Sequence, residues 1–231
     1  MRKAILLTAA VAALLCPART AAQSTWGSVL EAGATHKIVS GLSAGATVEH
    51  RSFDNFGKTE RWQLSAALNY RVCKNLKTDA GYCFIRQNRL ENGWENRNRW
   101  YASATGSVRW NRFELSLRER FQSTHRNGVS EYNKKGRRVR ANPKHVLKSR
   151  LELEYDINKC RFTPFCSVEL FHTLNDPDGN GLEKCRTTVG SEYAISRRQK
   201  ISLFARHIHY DGAKDDAESD FQIGLSYAIK L

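Results

Sequence analysis

The sequence lacks any apolar run long enough to cross a membrane as a helix. One sustained apolar stretch occurs, at residues 4–16, and it is shorter than the about 20 residues that a permanent membrane helix requires. Elsewhere no segment clearly repeats its apolar residues with the 3.6-residue period of an amphipathic helix. The apolar residues of this chain must therefore be organised in another way.

The amino-terminal stretch has the three parts of a secretory signal. The basic start Met1-Arg2-Lys3 precedes the apolar stretch, and the small residues Thr20-Ala21-Ala22 follow it. This order predicts a signal peptide over residues 1–22 that is removed during export. The mature chain over residues 23–231 is then long enough for one domain.

The chain has fewer acidic than basic residues, and the mature chain has an odd number of cysteines. The formal charge is +14, of which +11 remains once the signal peptide is removed. In an exported protein this excess favours outer-membrane lipids and lipopolysaccharide as partners, and no nucleic acid. Five cysteines leave at least one thiol unpaired within the chain, with the connectivity open: Cys73, Cys83, Cys160, Cys166 and Cys185.

Alternation of apolar and polar residues takes the place of the missing helical pattern. It is clearest at residues 145–157, where Leu147, Leu151, Leu153, Tyr155 and Ile157 alternate with charged residues, and in the closing segment 221–231, where every second residue is apolar. Such alternation predicts strands with one apolar and one polar face. Eleven segments show strand signals, at residues 25–37, 41–53, 60–72, 75–88, 98–110, 113–124, 145–157, 162–173, 182–195, 200–210 and 220–231.

The connections between these segments are alternately tight and long. This alternation is typical of an outer-membrane β-barrel, with short turns in the periplasm and long loops outside. We therefore expect an all-β fold, an antiparallel transmembrane β-barrel of about 10–12 strands in the bacterial outer membrane. Single-chain bacterial barrels have even numbers of strands, so either the first segment is not a full strand or the chain has a twelfth. The long connections are residues 54–59, 88–97, 125–144, 175–181 and 211–220.

Alternation alone does not say which face points outward, and a soluble periplasmic β-barrel is the alternative. Aromatic residues on the apolar faces lie near strand ends, where girdles form at membrane interfaces. They are Trp26, Trp62, Trp100, Trp110, Tyr70, Tyr155 and Tyr227. Together with export and the closing segment they favour the membrane barrel. The residues then expected to face lipid include Leu64, Leu68, Leu151, Leu153, Ile223 and Leu225.

Five segments in these strands carry a resemblance to a known family: Trp26-Gly27-Ser28-Val29, Asp79-Ala80-Gly81-Tyr82-Cys83-Phe84-Ile85-Arg86, Leu117-Arg118-Glu119-Arg120-Phe121-Gln122, His145-Val146-Leu147-Lys148-Ser149-Arg150-Leu151 and Ser202-Leu203-Phe204. On these segments the chain resembles the domain of unknown function 2490, a family of exported bacterial barrels. The resemblance extends over nearly the whole mature chain. It implies an outer-membrane barrel and transfers no catalytic residues.

The closing segment also resembles the signal that the barrel-assembly machinery recognises. Gln222, Gly224, Tyr227 and Ile229 fall at its polar, glycine and two hydrophobic positions, and Leu231 replaces the usual terminal Phe. The resemblance makes that machinery an expected partner during biogenesis.

If the apolar faces point to lipid, the charged faces crowd into the barrel. Unpaired charge there is costly, so opposite charges are expected to pair across strands and to leave a narrow, largely filled lumen. The expected lumen network is Glu49, Arg51, Arg61, Arg71, Arg118, Arg120, Lys148, Arg150, Glu152, Glu154, Asp156 and Glu169. We expect a structural, narrow-transport or surface-binding role, without enzymatic activity or a cofactor.

A lipid- or lipopolysaccharide-modifying enzyme is the alternative from another class. His207 and His209 share a strand face, where two histidines could also bind a metal, and His172 lies near a loop. Nothing in the spacing singles out a serine partner, so no catalytic or metal-binding residue is assigned. Residues 176–181 match half of a calcium loop, but Thr187 stands where its last glutamate belongs, which favours a turn.

The long connection 125–144, called here the basic loop, has seven cationic residues against one glutamate. Facing outward, it would meet the phosphates of lipopolysaccharide. Pairing with the acidic connection 211–220, or plain solvation, are the alternatives. The cations expected to contact lipopolysaccharide or another anion are Lys134, Lys135, Arg137, Arg138 and Arg140.

Overall fold

The computed structural model describes residues 24–89, 93–211 and 219–231, and the predicted signal peptide lies outside them. Within these ranges no helix has the length and apolar character needed to cross a membrane. The eleven predicted segments are all strands, so the all-β fold is confirmed. The strands are β1 (Ser24–Val39), β2 (Leu42–Phe53), β3 (Lys58–Arg71), β4 (Leu76–Arg89), β5 (Gly93–Trp110), β6 (Phe113–Arg126), β7 (Lys144–Tyr155), β8 (Phe162–Thr173), β9 (Gly181–Ala194), β10 (Gln199–Tyr210) and β11 (Ser219–Lys230).

The strands close into one barrel, in which each strand pairs with its neighbours in the chain and β1 pairs with β11. The pairs between consecutive strands are antiparallel. The closing pair is parallel over twelve register positions, because an odd number of alternating strands leaves the first and last pointing the same way. Both expectations drawn from an even count are wrong: β1 is a full strand of 16 residues, and the described strands close without a twelfth.

The apolar faces of the strands point outward. Along β3 the side chains alternate between exposed and partly buried, and Leu64 and Leu68 are 56% and 55% exposed. Leu151, Ile223 and Leu225 are exposed in the same way, and Leu153 has the parity of Leu151. The predicted outward facing of these residues is confirmed, and the charged residues between them point into the barrel.

Tight turns and long connections lie at opposite ends of the barrel. At the tight-turn end, Gly41 has a φ of 85°, which glycine adopts without the strain that a Cβ would cause. Its carbonyl accepts a hydrogen bond from the backbone N of Arg71 at 2.8 Å, which ties the end of β3 to the turn between β1 and β2. We call the opposite end the long-loop end.

The long connection predicted at residues 88–97 is mostly strand, because β4 continues to Arg89 and β5 begins at Gly93. Polar contacts hold this extension. Glu95 accepts hydrogen bonds from Arg97 at 2.6 Å and from Arg126 on β6 at 2.7 Å. A strand stabilised by charged pairs shows no apolar alternation, so the sequence pattern did not reveal it.

The five cysteines of the described chain are all unpaired, namely Cys73, Cys83, Cys160, Cys166 and Cys185. Two of them, Cys73 and Cys160, are exposed in turns at the tight-turn end, whereas Cys83 is buried inside the barrel. No disulfide therefore forms among the described residues.

Candidate functional site

A cavity of about 700 Å³ occupies the barrel interior from its middle towards the long-loop end. Inward positions recur at every second residue, and directly paired residues of neighbouring strands share a face, so all strands contribute to the lining. Fourteen cationic side chains and five carboxylates line the cavity. The cations are Arg51, Arg61, Arg89, Arg97, Arg99, Arg118, Arg120, Arg126, Lys144, Lys148, Arg150, Lys184, Arg186 and Arg206.

Glu49 on β2 is one of two buried acidic hubs in this lumen. It is 6% exposed, and it accepts hydrogen bonds from Arg51 at 2.9 Å and from Arg61 on β3 at 3.1 Å. Arg51 and Arg61 lie directly opposite each other in the β2–β3 register. Like charges in such positions repel, and the carboxylate of Glu49 offsets this repulsion.

Glu169 on β8 is the second hub, and it is 1% exposed. Its Oε1 accepts a hydrogen bond from Nη2 of Arg118 on β6 at 2.9 Å, and its Oε2 pairs with Nη2 of Arg186 on β9. Arg150 on β7 lies directly opposite Glu169 in the register. One carboxylate therefore contacts cations from two strands and lies beside the cation of a third.

Other carboxylates hold lining cations in place. Asp79 on β4 pairs with Arg120 on β6 at 3.1 Å, and Glu152 pairs with the neighbouring Arg150 on the same strand. Glu95 pairs with three arginines near the long-loop end, namely Arg89, Arg97 and Arg126. Four carboxylates outside the cavity lining pair with lining cations, namely Asp79, Glu95, Glu152 and Glu169. Even when these four are added to the five that line the cavity, the fourteen lining cations outnumber the carboxylates.

Four lining cations have no carboxylate within 4 Å in the described parts of the chain: Arg99, Lys148, Lys184 and Arg206. Arg99 donates to the hydroxyl of Thr124 at 2.9 Å. The ammonium groups of both lysines lie near the ring of Phe171, 4.6 Å and 4.9 Å from its centroid. Nε and Nη1 of Arg206 are buried and have no hydrogen-bond acceptor among the described atoms. Positive charge therefore remains uncompensated inside the lumen.

Glycines let aromatic rings lie flat against the inner wall. Tyr101 lies over Gly81, where an added Cβ would meet the tyrosine hydroxyl at 2.6 Å. Phe204 lies between Gly190 and Gly224 in the register, and a Cβ at either glycine would clash with it. Flat rings of this kind fill the wall without projecting across the lumen.

The structure brings nine residues of the predicted lumen network together. Those that line the cavity are Glu49, Arg51, Arg61, Arg118, Arg120, Lys148 and Arg150, and Glu152 and Glu169 pair with lining cations. Arg71, the last residue of β3, and Asp156, in the turn after β7, are exposed at the tight-turn end instead. Glu154 points inward on β7 without a cation bound to it within the described chain. Sequence reasoning missed several inward cations whose parity in the predicted strands could have revealed them: Arg99, Lys184, Arg186 and Arg206.

The five expected contact residues of the basic loop are all exposed. Asn133 folds the tip of the loop, because its Oδ1 accepts hydrogen bonds from the backbone N of Lys135 and Arg137, each at 2.9 Å. Arg138 pairs with Glu131 at 3.4 Å. Most of the acidic connection 211–220 lies outside the described residues, so the alternative of loop-to-loop pairing is untested.

The histidines of the enzyme alternative lie on the outer surface near the long-loop end. The ring of His207 stacks on Phe221 at 4.6 Å, and Phe221 stacks on Trp26 at 5.2 Å. His209 shares this face, and His172 lies opposite Leu147 in the register. His207 is thus part of an aromatic stack across β10, β11 and β1.

Residues 176–181 form a turn stabilised by their own side chains. Oδ1 of Asp176 accepts a hydrogen bond from the backbone N of Asp178 at 3.0 Å, and Oδ1 of Asn180 accepts one from the backbone N of Asp176 at 3.1 Å. These are the contacts of Asx-type turns.

The exterior and the interior together define a class of protein: a closed β-barrel with an apolar outer surface and a cation-rich, ion-paired lumen. The family described as "Protein of unknown function (DUF2490)" matches residues 24–219. The chain therefore belongs to this family, and the resemblance found in the sequence is confirmed.

Among solved structures, the chain is similar to the NanC porin in its rhombohedral crystal form, at 14% identity. The match covers 88% of this chain and 99% of that chain, with a TM-score of 0.49. No curated protein matches the chain.

Proposed function

We propose that the protein is an integral outer-membrane barrel whose lumen is a narrow, anion-selective passage. The single observation that carries this proposal is the cavity lining, with fourteen cations against five carboxylates. Fixed charge on the wall of a low-dielectric cavity concentrates ions of opposite sign and repels ions of the same sign. Small anions should therefore enter, and small cations should be excluded.

The outer surface supports insertion into a membrane. Leu64, Leu68 and Leu203 are 56%, 55% and 60% exposed on the barrel exterior. In water such a continuous apolar exterior would be an aggregation liability. In a bilayer it is the expected outer band, with the exposed side chains of Trp26 and Trp110 near strand ends. The predicted signal peptide supplies the route of export.

The size of the cavity supports a passage for small solutes only. At about 30 Å³ for each water molecule in the liquid, a cavity of about 700 Å³ has room for about twenty waters. Long side chains held in ion pairs cross this space, including those bound by Glu49 and Glu169. We therefore expect a small conductance, not that of an open porin.

The test is planar-bilayer recording of the purified, refolded barrel under a KCl gradient. A reversal potential near that of chloride, with a small unitary conductance, is the expected result. Arg99→Gln should reduce anion selectivity because it removes an unpaired lumen charge. Arg86→Gln is the matched control, since Arg86 lies on the outer face near Trp94. Selectivity for potassium, or a large non-selective current, would contradict the proposal.

The exposed cations of the basic loop favour a second role at the cell surface, in contact with lipopolysaccharide. The long-loop end carries this loop, and the tight turns occupy the other end. Arginine can bind phosphate in bidentate fashion, and Arg137 and Arg140 are exposed to do so. Lys134 and Lys135 are exposed as well and can each contact phosphate through an ammonium group. Such contacts are screened by salt, so an interaction of this kind should weaken as ionic strength rises.

A further inference from the structure

We propose that Lys148, Phe171 and Lys184 form a binding site in the lumen for a multiply charged oxyanion, such as phosphate, sulfate or an ester of either. The inference rests on the proposed function and deepens it, because it names a site inside the lumen at which a passing anion would bind. It also names the chemical class of anion that this site would bind. The three residues come from adjacent strands and lie directly beside one another, since Lys148 on β7 pairs with Phe171 on β8, and Phe171 pairs with Lys184 on β9.

The two ammonium groups share one aromatic neighbour, and neither has a carboxylate within 4 Å in the described chain. Glu183, which precedes Lys184 and also lines the cavity, pairs with Lys144 at 3.0 Å. Lys148 Nζ and Lys184 Nζ lie 4.6 Å and 4.9 Å from the centroid of Phe171. A cation over a ring is attracted to it, but the ring does not neutralise its charge. Both lysines line the cavity, so the N–H donors of their ammonium groups are available to a molecule inside it.

The nearest acid along β8 is already committed. Glu169 lies two residues from Phe171 on the same face and binds Arg118 and Arg186. Arg120 lies directly opposite Lys148 in the β6–β7 register, so Lys148 has a like charge beside it. Neighbouring like charges repel, and a bound anion would relieve that repulsion. The protein leaves the compensating charge to be supplied from outside.

Oxyanions fit this arrangement better than halides. Each ammonium has three N–H donors and no acceptor, and each can hydrogen-bond to an oxygen of the ligand. Arg99 also lines the cavity, close enough to Lys148 for their charges to interact. A ligand bound among several cations is favoured when it carries more than one negative charge and several acceptor oxygens.

Further into the barrel, the side chain of Arg206 also has hydrogen-bond donors without acceptors. Its Nε and Nη1 are buried and have no acceptor among the described residues, and it lines the same cavity. Buried donors are normally hydrogen-bonded to protein, water or ligand. An anion that leaves the lysine pair would therefore meet a further cation whose donors have no acceptor in the described chain.

The test is titration calorimetry of the refolded barrel in detergent, with inorganic phosphate, sulfate and chloride as separate probes. Phosphate and sulfate should bind more tightly than chloride. Lys148→Met and Lys184→Met should each weaken phosphate binding about tenfold or more, because a hydrogen bond to a charged group contributes about that factor. Lys77→Met is the matched control, since Lys77 is exposed near the tight-turn end of β4.

Two further measurements keep the result interpretable. Lys148→Arg should retain most of the binding, because it preserves the charge, and heat-modifiable gel migration should show that every variant is folded. Equal affinity for phosphate and chloride, or an effect of Lys77→Met equal to that of Lys148→Met, would overturn the site. Anion-selective current without phosphate binding would remove the site and leave the passage. Phosphate binding without anion-selective current would keep the site and remove the passage.

Discussion

Glu169→Gln should destabilise the barrel strongly while leaving its shape almost unchanged. Gln keeps the volume of the side chain and loses its charge, so Arg118 and Arg186 would share the lumen without their carboxylate. Removing one member of a buried ion pair typically costs about 3–5 kcal/mol, because a buried charge is left uncompensated. The side chain of Glu169 is only 2% exposed, so solvent can do little to replace it.

Urea unfolding of the refolded protein in micelles would measure this cost. With a slope of about 2 kcal/mol per molar, the unfolding midpoint should fall by about 2 M. Glu114→Gln is the matched control, because Glu114 pairs with Arg109, whose side chain is 65% exposed. Exposed pairs contribute little to stability, so the midpoint of this control should hardly move.

A rescue experiment separates electrostatics from packing. If the cost comes from an orphaned cation, adding Arg186→Gln to Glu169→Gln should recover part of the lost stability. No recovery would point to packing. Equal shifts in Glu169→Gln and Glu114→Gln, or no shift in either, would refute the reasoning that Glu169 is the electrostatic hub of the lumen.

Three other changes test separate parts of the molecule. Leu151→Arg places a charge on the outer face and should cost about 2–4 kcal/mol in bilayers, measured by unfolding in vesicles; a neutral result would contradict the outward facing. Gly224→Ala pushes a Cβ into Phe204 and should cost about 1–3 kcal/mol, whereas Gly106→Ala, with open space around it, should be tolerated. Replacing the five expected contact cations of the basic loop with Gln should weaken lipopolysaccharide binding and flatten its salt dependence; unchanged affinity and slope would remove that contact.

The grouping of residues on one face of a strand was predictable because it depends on parity alone. In β3, Leu64 and Leu68 have the same parity, and an unbroken period of two decides that they share a face wherever the strand begins. Which face points outward is a separate question, since alternation is the same for a soluble and a membrane barrel. The structure answers this question, because the leucines are exposed on the exterior and the charged side chains converge inside the barrel.

The lumen could be predicted as a composition but not as a set of contacts. Parity alone places Lys148 and Lys184 inside, but their neighbour Phe171 follows only from the register of three strands. That register shifts between Phe171 and His172, an irregularity that no local residue pattern announces. Lys184 would therefore be paired with the wrong residue by counting from the turn.

The closure of the barrel is the feature that local patterns could least foresee. β1 and β11 are separated by almost the whole chain, and each shows the same alternation that would suit an antiparallel neighbour. Parallel pairs are slightly less stable per residue than antiparallel ones, and the seam has side-chain contacts on both faces to support it. Inside, Thr25 donates to Asp220 at 2.6 Å. Outside, Trp26 stacks on Phe221 at 5.2 Å.

Because both faces of the seam are occupied, the odd count of strands need not leave an open edge. An open edge would present unpaired backbone groups to the bilayer, where each such group costs several kcal/mol. Twelve register pairs between β1 and β11 remove that cost. Closure also encloses the interior, so the fourteen lining cations face one another across the lumen. Their positive charge can be compensated there by carboxylates, by water or by an incoming anion.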